Sequence, residues 1–136
     1  MPELPEVETV RCALEKHLRG RVIKDINILY PSIFSYPDIK DVKEKIKNQK
    51  IIKVNRRGKW LVFVLDDYYL LSHLRMEGKY LYRKINTPYS KHEHVGFILD
   101  NKEELRYKDT RKFGRMYLVT EKELEKISPL KDLGCE

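Results

Sequence analysis

A β-rich α+β fold is predicted for this 136-residue chain by three features of its sequence. Apolar and alternating segments of four to eight residues recur from Val22 to Val119, parted by Gly, Asp, Asn and Pro. Such runs read as short strands joined by hairpin turns. A helical period precedes them, and a capping box follows them. About eight strands between terminal helices suggest an antiparallel sandwich or barrel. The length fits one domain, and a chain of this size buries enough surface to hold a core without staples.

The elements follow in order. Val7, Val10, Leu14 and Leu18 repeat at helical spacing and predict a helix over Pro5 to Arg19. Pro5 suits the first helical position, Glu6 and Glu8 complement the positive dipole end, and Gly20 is a natural stop. Val22 to Leu29 reads as a strand and Pro31 to Pro37 as loop. Ile39, Val42 and Ile46 suggest a short second helix. Ile51 to Arg56 alternates as a strand, and Arg57-Gly58-Lys59 forms a basic turn. Trp60 to Leu65 and Tyr68 to Leu74 flank Asp66-Asp67 as a hairpin. Lys79 to Tyr82 is a strand, and Arg83 to Lys91 is loop, with Pro88 opposing regular structure. His94 to Asp100, Leu105 to Lys108 and Arg115 to Val119 are the remaining strands. Thr120-x-x-Glu123 opens a short helix that ends near Ile127, before Ser128-Pro129.

Charge and cysteine content narrow the class. Lys and Arg number 28 against 21 Asp and Glu, for a formal net charge of +7. That balance favours an anionic partner, nucleic acid first. Cys12 and Cys135 stand far apart without C-x-x-C spacing. They make neither a zinc site nor a disulfide framework, and a reducing cytoplasm is expected. No apolar run is long enough to span a membrane, and no signal peptide is recognised.

The first six residues, Met1-Pro2-Glu3-Leu4-Pro5-Glu6, hold the most distinctive chemistry. If Met1 is removed, the chain starts with a secondary amine beside Glu3, carried on a helix. An α-amino group has a reference pKa of about 7.7–8.0 against about 10.4 for lysine, so an appreciable fraction is nucleophilic at neutral pH. A secondary amine condensed with an aldehyde becomes an iminium, a positive electron sink for elimination. Glu3 is placed to shuttle the protons. With Met1 attached, residue 2 is an amide and this chemistry is closed.

Four loop-like stretches carry cations. Arg56-Arg57-Gly58-Lys59-Trp60 sets three cations around a glycine, where backbone can approach a phosphate. Ser72 to Gly78 includes His73 and Met76. Lys91-His92-Glu93-His94 offers two imidazoles as phosphate donors, with no third residue at metal-ligand spacing. Asp109 to Arg115 mixes cations with Phe113. Cations position a nucleic-acid backbone, while Met and Phe can enter a base stack. Singly, each stretch is an ordinary solvated turn with a core apolar residue. Four in one small basic domain carry more weight.

Read together, these stretches resemble the bacterial formamidopyrimidine-DNA glycosylase family. The match runs from Met1-Pro-Glu-Leu-Pro-Glu-Val-Glu-Thr-Val10 through Arg57-Gly-Lys-Trp60, His73-Leu-Arg-Met-Glu-Gly78, Lys91-His-Glu-His-Val95 and Asp109-Thr-Arg-Lys-Phe-Gly114. Leu4 favours this branch, since the related endonuclease VIII branch usually has glycine there. The resemblance implies two antiparallel sheets in a sandwich flanked by the N-terminal helix and short helices. It implies excision of oxidised purines, 8-oxoguanine and formamidopyrimidines, from damaged double-stranded DNA, followed by strand cleavage at the abasic site. It implies Pro2 as the nucleophile at C1′, Glu3 as proton donor and acceptor, Lys59 as a phosphate contact assisting β-elimination, and Glu6 as a residue ordering the catalytic end of the helix. His73, His92 and Arg111 are expected to contact DNA, and Met76, Arg111 and Phe113 to fill the gap left by an everted base. A bacterial, nucleoid-associated cytoplasmic monomer is expected.

The family pattern continues past this sequence. Leu133-Gly134-Cys135-Glu136 resembles the family's Leu-Gly-Pro-Glu at the start of an interdomain linker, with Cys for Pro. The expected organisation is one N-terminal catalytic domain, residues 1–136, with a core over 1–128 and linker over 129–136. The helix–two-turn–helix domain and the zinc ribbon are not in the sequence. No cofactor is expected in this chain, and zinc is expected only in that ribbon. An isolated domain is therefore expected to bind DNA weakly and to excise little or nothing. Two other readings remain open: an endonuclease VIII-like enzyme for oxidised pyrimidines, and a non-catalytic DNA-binding domain on the same scaffold.

Overall fold

Three helices and nine strands make up the computed structural model, which describes residues 4–74, 78–110 and 114–126, with side chains from residue 6 onward. Helix α1 spans Leu4–Leu18. Strand β1 is Val22–Ile28, β2 Phe34–Tyr36, β3 Gln49–Arg57, β4 Trp60–Leu65 and β5 Tyr69–His73. Strand β6 is Lys79–Lys84, β7 Glu93–Leu99, β8 Glu103–Lys108 and β9 Arg115–Val119. Helix α2 is Ile39–Ile46 and α3 is Glu121–Leu124.

The strands join in the order β2-β9-β5-β4-β3-β1-β7-β8-β6. The expectation of two separate antiparallel sheets is thus corrected in detail. Two layers exist, but β1 and β3 link them through the pairs Val22–Lys50 and Ile23–Gln49. The strand row folds back on itself, so β6 at one end faces β4 and β5. The Tyr80 ring meets Phe63 edge-on at 5.7 Å, and the Tyr80 hydroxyl donates to Ser72 Oγ at 2.6 Å. Leu61, Phe63 and Leu70 from one layer and Val95, Phe97 and Leu105 from the other share the buried core. Fully burying a side chain of this kind contributes about 1.5–3 kcal/mol, so this core dominates stability.

One strand escaped the sequence reading. Pro31 to Pro37 was expected as loop, yet Pro31–Ile33 is a 3₁₀ turn and Phe34–Tyr36 pairs parallel to β9. Ile33 and Phe34 are buried, and their burial pulls this short segment onto the sheet edge. In β1, a register shift between Ile23 and Asp25 turns both Ile23 and Ile26 inward, which strict alternation forbids.

The helices close the open sides of the sandwich. Val7, Leu14 and Leu18 of α1 and Val42 and Ile46 of α2 lie within the core. Helix α3 has the predicted box: Glu123 N donates to Thr120 Oγ1 at 3.3 Å, and Thr120 N donates to Glu123 Oε1 at 2.9 Å. It stops at Leu124, short of the expected Ile127, which lies outside the described residues. Leu124 packs on a second, smaller cluster of Trp60, Val62, Leu71 and Val119.

Candidate functional site

Antiparallel packing of α1 on β3 decides where α1 begins. Gly20 N donates to Ile51 O at 2.8 Å, so the helix ends beside the start of β3. At the other end, Arg56 Nε donates to Glu8 Oε1 at 3.0 Å and Arg56 Nη1 to Gly58 O at 3.0 Å. The first turns of α1 therefore lie beside the β3–β4 turn. That turn is Gly58-Lys59, closed by the Arg57–Trp60 pair, with Gly58 at φ +58°. A positive φ of this size favours glycine.

The same rim collects the ends of four more strands. His73 ends β5, pairs with Trp60 and Arg115, and meets the Trp60 ring edge-on at 5.0 Å. Lys59, in the β3–β4 turn, and His73, at the end of β5, are both half-buried and are joined through Trp60, which follows Lys59 and pairs with His73. Asp109 N donates to His92 O at 3.0 Å, which brings half-buried His92 to the end of β8. The His92 ring Nδ1 is buried without a hydrogen-bond partner. Glu6 lies exposed in the first turn of α1. Pro2, Glu3, Met76, Arg111 and Phe113 fall outside the described residues. The flanks of two of these segments are described: Gly78 N donates to Leu74 O at 2.9 Å, and Gly114 N to Asp109 Oδ2 at 2.8 Å.

Two basic-loop expectations change in the structure. Arg56 is not a free phosphate contact, because Glu8 and the Gly58 carbonyl hold it. His94 is only 3% exposed, with its Nε2 at 2.7 Å from Asp109 O and its ring beside Tyr30. It organises the rim from beneath rather than facing a ligand. Among the described residues, no group of three or more His, Cys, Asp or Glu side chains is arranged to hold a metal ion.

Two networks were missed by the sequence reading. In the first, Arg11 donates from Nη2 to Glu8 Oε2 at 2.8 Å and from Nη1 to Val54 O at 2.9 Å. Glu15 Oε1 accepts from Val54 N at 3.3 Å. The Glu8, Arg11, Glu15 spacing on one helix face was a visible signal; the partners on β3 were not. Hydrogen bonds from Arg11 and then Arg56 pull the Glu8 carboxyl from 4.5 down to about 2. A depressed carboxylate pKa stabilises the fold above the unfolded value and loses that contribution as pH falls through the folded value. The hold of α1 on β3 is therefore expected to weaken between pH about 4.5 and about 2. Acid unfolding of wild type beside Glu8→Gln checks this. The variant should show a flatter stability curve across that window, and equal slopes would refute the assignment.

The second network surrounds Arg106, which is fully buried. It donates to Glu93 Oε1 at 2.9 Å, Glu104 Oε1 at 3.0 Å and Pro88 O at 3.1 Å, and also to Thr87 O. Its guanidinium carbon lies 3.7 Å from the Tyr89 ring centroid, and the Tyr89 hydroxyl donates to Glu104. This core of charge pins the loop between β6 and β7, which carries His92, onto β8. Burial alone would raise the Glu93 carboxyl, but the Ser90 amide and Arg106 hold it below its ordinary value.

Fold and rim define a class first: a two-layer β-domain whose first helix starts beside a rim of cations. Comparison then fixes the family. The model of the formamidopyrimidine-DNA glycosylase N-terminal domain matches residues 1–116, and the chain belongs to that family. It is 47% identical to formamidopyrimidine-DNA glycosylase of Bacillus cereus, over all of this chain and 50% of that protein. The Lactobacillus gasseri enzyme is 48% identical, over all of this chain and 49% of the relative. Lactococcus lactis Fpg, solved in complex with DNA containing an abasic site, superposes with a TM-score of 0.85 at 40% identity. That match covers 90% of this chain and 46% of the solved one. The chain thus spans about half the length of the curated relatives it matches.

Proposed function

We propose that this chain is the catalytic half of a DNA glycosylase and abasic-site lyase that removes oxidised purines, 8-oxoguanine and formamidopyrimidines, from damaged duplex. The observation that carries this reading is the single rim on which the start of α1, Lys59, His73 and His92 converge, in a member of this family. The roles of Pro2, Glu3, Met76, Arg111 and Phe113 follow from the family resemblance.

In the proposed chemistry the Pro2 nitrogen attacks C1′ of the damaged nucleotide. The glycosidic bond from C1′ to the base nitrogen breaks as the Pro2 N–C1′ bond forms, and the base departs with a proton. Ring opening leaves an iminium between Pro2 and C1′. Loss of a proton from C2′ then expels the 3′ phosphate by β-elimination, and water releases the enzyme. Glu3 moves protons at the sugar, and the Lys59 ammonium sits against phosphate. Glu6 orders the first turn of α1. His73 and His92 contact the DNA backbone with Arg111, and Met76, Arg111 and Phe113 occupy the gap beside the everted base. No cofactor takes part in this scheme. A monomer acting in the bacterial cytoplasm, on the nucleoid, fits this role.

Borohydride trapping tests the proposal. The purified chain, shown by intact mass to start at Pro2, is mixed with duplex carrying one abasic site. On an aldehydic abasic site the amine condenses with loss of water, and hydride reduces the iminium to a stable amine. An adduct mapping to Pro2 is expected, and it should weaken steeply with salt because phosphate contacts release counterions. Absence of an adduct from a chain that starts at Pro2 would sink the catalytic reading. It would leave the DNA-binding scaffold as the alternative.

A further inference from the structure

The geometry points to Tyr107 and Asp109 as a positioning pair that fixes Gly78, Gly114 and the His92 backbone against one another and so sets the discrimination between lesion-containing and intact duplex. This rests on the functional reading above. Neither residue is at the surface, and neither contacts DNA in the proposed scheme. Both are fully buried at the end of β8.

Tyr107 Oη donates to Asp109 Oδ2 at 2.9 Å, and Gly114 N donates to the same oxygen at 2.8 Å. A Cβ at Gly114 would stand 1.8 Å from Tyr107 Oη, and a Cβ at Gly78 would stand 2.7 Å from it. One phenol oxygen therefore lies close to both Gly78 and Gly114, which follow Met76 and Phe113 closely in the sequence. His92 is attached through the Asp109 backbone. Asp109 N donates to His92 O at 3.0 Å, and Asp109 O lies 2.7 Å from the His94 ring.

A purely structural role does not require this chemistry. Phenylalanine would fill the same core volume against Tyr80, whose ring centroid lies 5.3 Å away. The hydroxyl adds the hydrogen bond to Asp109 Oδ2, the oxygen that also accepts from Gly114 N, and the close approach to Gly78. Groups that touch a stacked duplex must be held to within a fraction of an ångström, and side chains that cannot reach the ligand do that holding. Tyr107 and Asp109 are positioning residues in this sense.

The test uses the 136-residue chain and a duplex with a tetrahydrofuran abasic analogue opposite 2-aminopurine, whose fluorescence rises on unstacking. Wild type is expected to prefer this duplex over an intact one and to raise the fluorescence. Tyr107→Phe should fold and keep the wild-type salt slope, since the phosphate contacts remain. Its preference should drop by roughly fivefold to tenfold, the scale of one lost buried hydrogen bond. The fluorescence rise should shrink with it. Asp109→Asn retains an oxygen acceptor and should hold the preference within about twofold, whereas Asp109→Ala should lose it. If wild type discriminates and Tyr107→Phe and Asp109→Ala discriminate equally well, the inference is overturned alone. A wild type with no preference overturns the functional reading together with this inference.

Discussion

A chain that keeps Met1 is expected to give no covalent adduct with abasic DNA, where the same chain starting at Pro2 gives one. The reason is elementary. Acylation by Met1 makes the Pro2 nitrogen an amide, whose lone pair is delocalised into the carbonyl and which cannot form an iminium. Losing a nucleophile costs at least about 10³ in rate, far more than losing a positioning contact. DNA binding by the two forms should be equal within a fewfold, because the cations of the rim are the same in both. Intact mass separates the forms, and borohydride trapping reads the difference. Equal adduct yields would show that another amine, such as a lysine side chain, is the nucleophile.

The second large effect is on stability. Arg106→Ala is expected to destabilise the fold by about 3–5 kcal/mol, because it strips buried Glu104 of its counter-charge and leaves buried Glu93 with only the longer Arg83 contact at 3.9 Å. Glu93 and Glu104 are only 3% and 2% exposed. For a domain of this size the melting temperature should fall by roughly 10–20 °C. The combined variant Arg106→Met with Glu93→Gln and Glu104→Gln should recover much of that loss, since it removes the stranded charges along with their partner. A melting curve for each decides the point. An Arg106→Ala chain that melts within about 2 °C of wild type would show that water reaches this network.

These residues also show where sequence reading stops. Glu104, Arg106 and Lys108 alternate with Leu105 and Tyr107 along β8. The sequence reading starts this strand at Leu105, after a polar turn, whereas β8 begins at Glu103. Leu105 and Tyr107 face the core. The outward face at Glu104 and Arg106 is covered by the loop that carries Thr87, Pro88 and Tyr89. No local pattern marks a loop as a lid over charge, because its carbonyls meet Arg106 across 18 and 19 residues. Arg56 is similar. Its neighbours suggested a phosphate contact, but Glu8, 48 residues earlier, claims the side chain.

What the sequence determined by itself is local in origin. The period of Val7, Leu14 and Leu18 placed α1, alternation and turn residues placed eight of the nine strands, and Thr120 with Glu123 placed the start of α3. The opening Met-Pro-Glu-Leu-Pro-Glu and the ordered motifs after it named the family, because short-range chemistry and order along the chain are written in sequence. Tertiary structure alone decided the rest. It joined the two layers through β1 and β3, recruited Phe34–Tyr36 as a parallel edge, buried His94, and gathered Lys59, His73 and His92 beside the start of α1. It also set Tyr107 Oη between Gly78 and Gly114. Each of these depends on pairings between residues far apart in the chain. Their partners are chosen by packing and the satisfaction of buried polar groups, which no window of sequence contains.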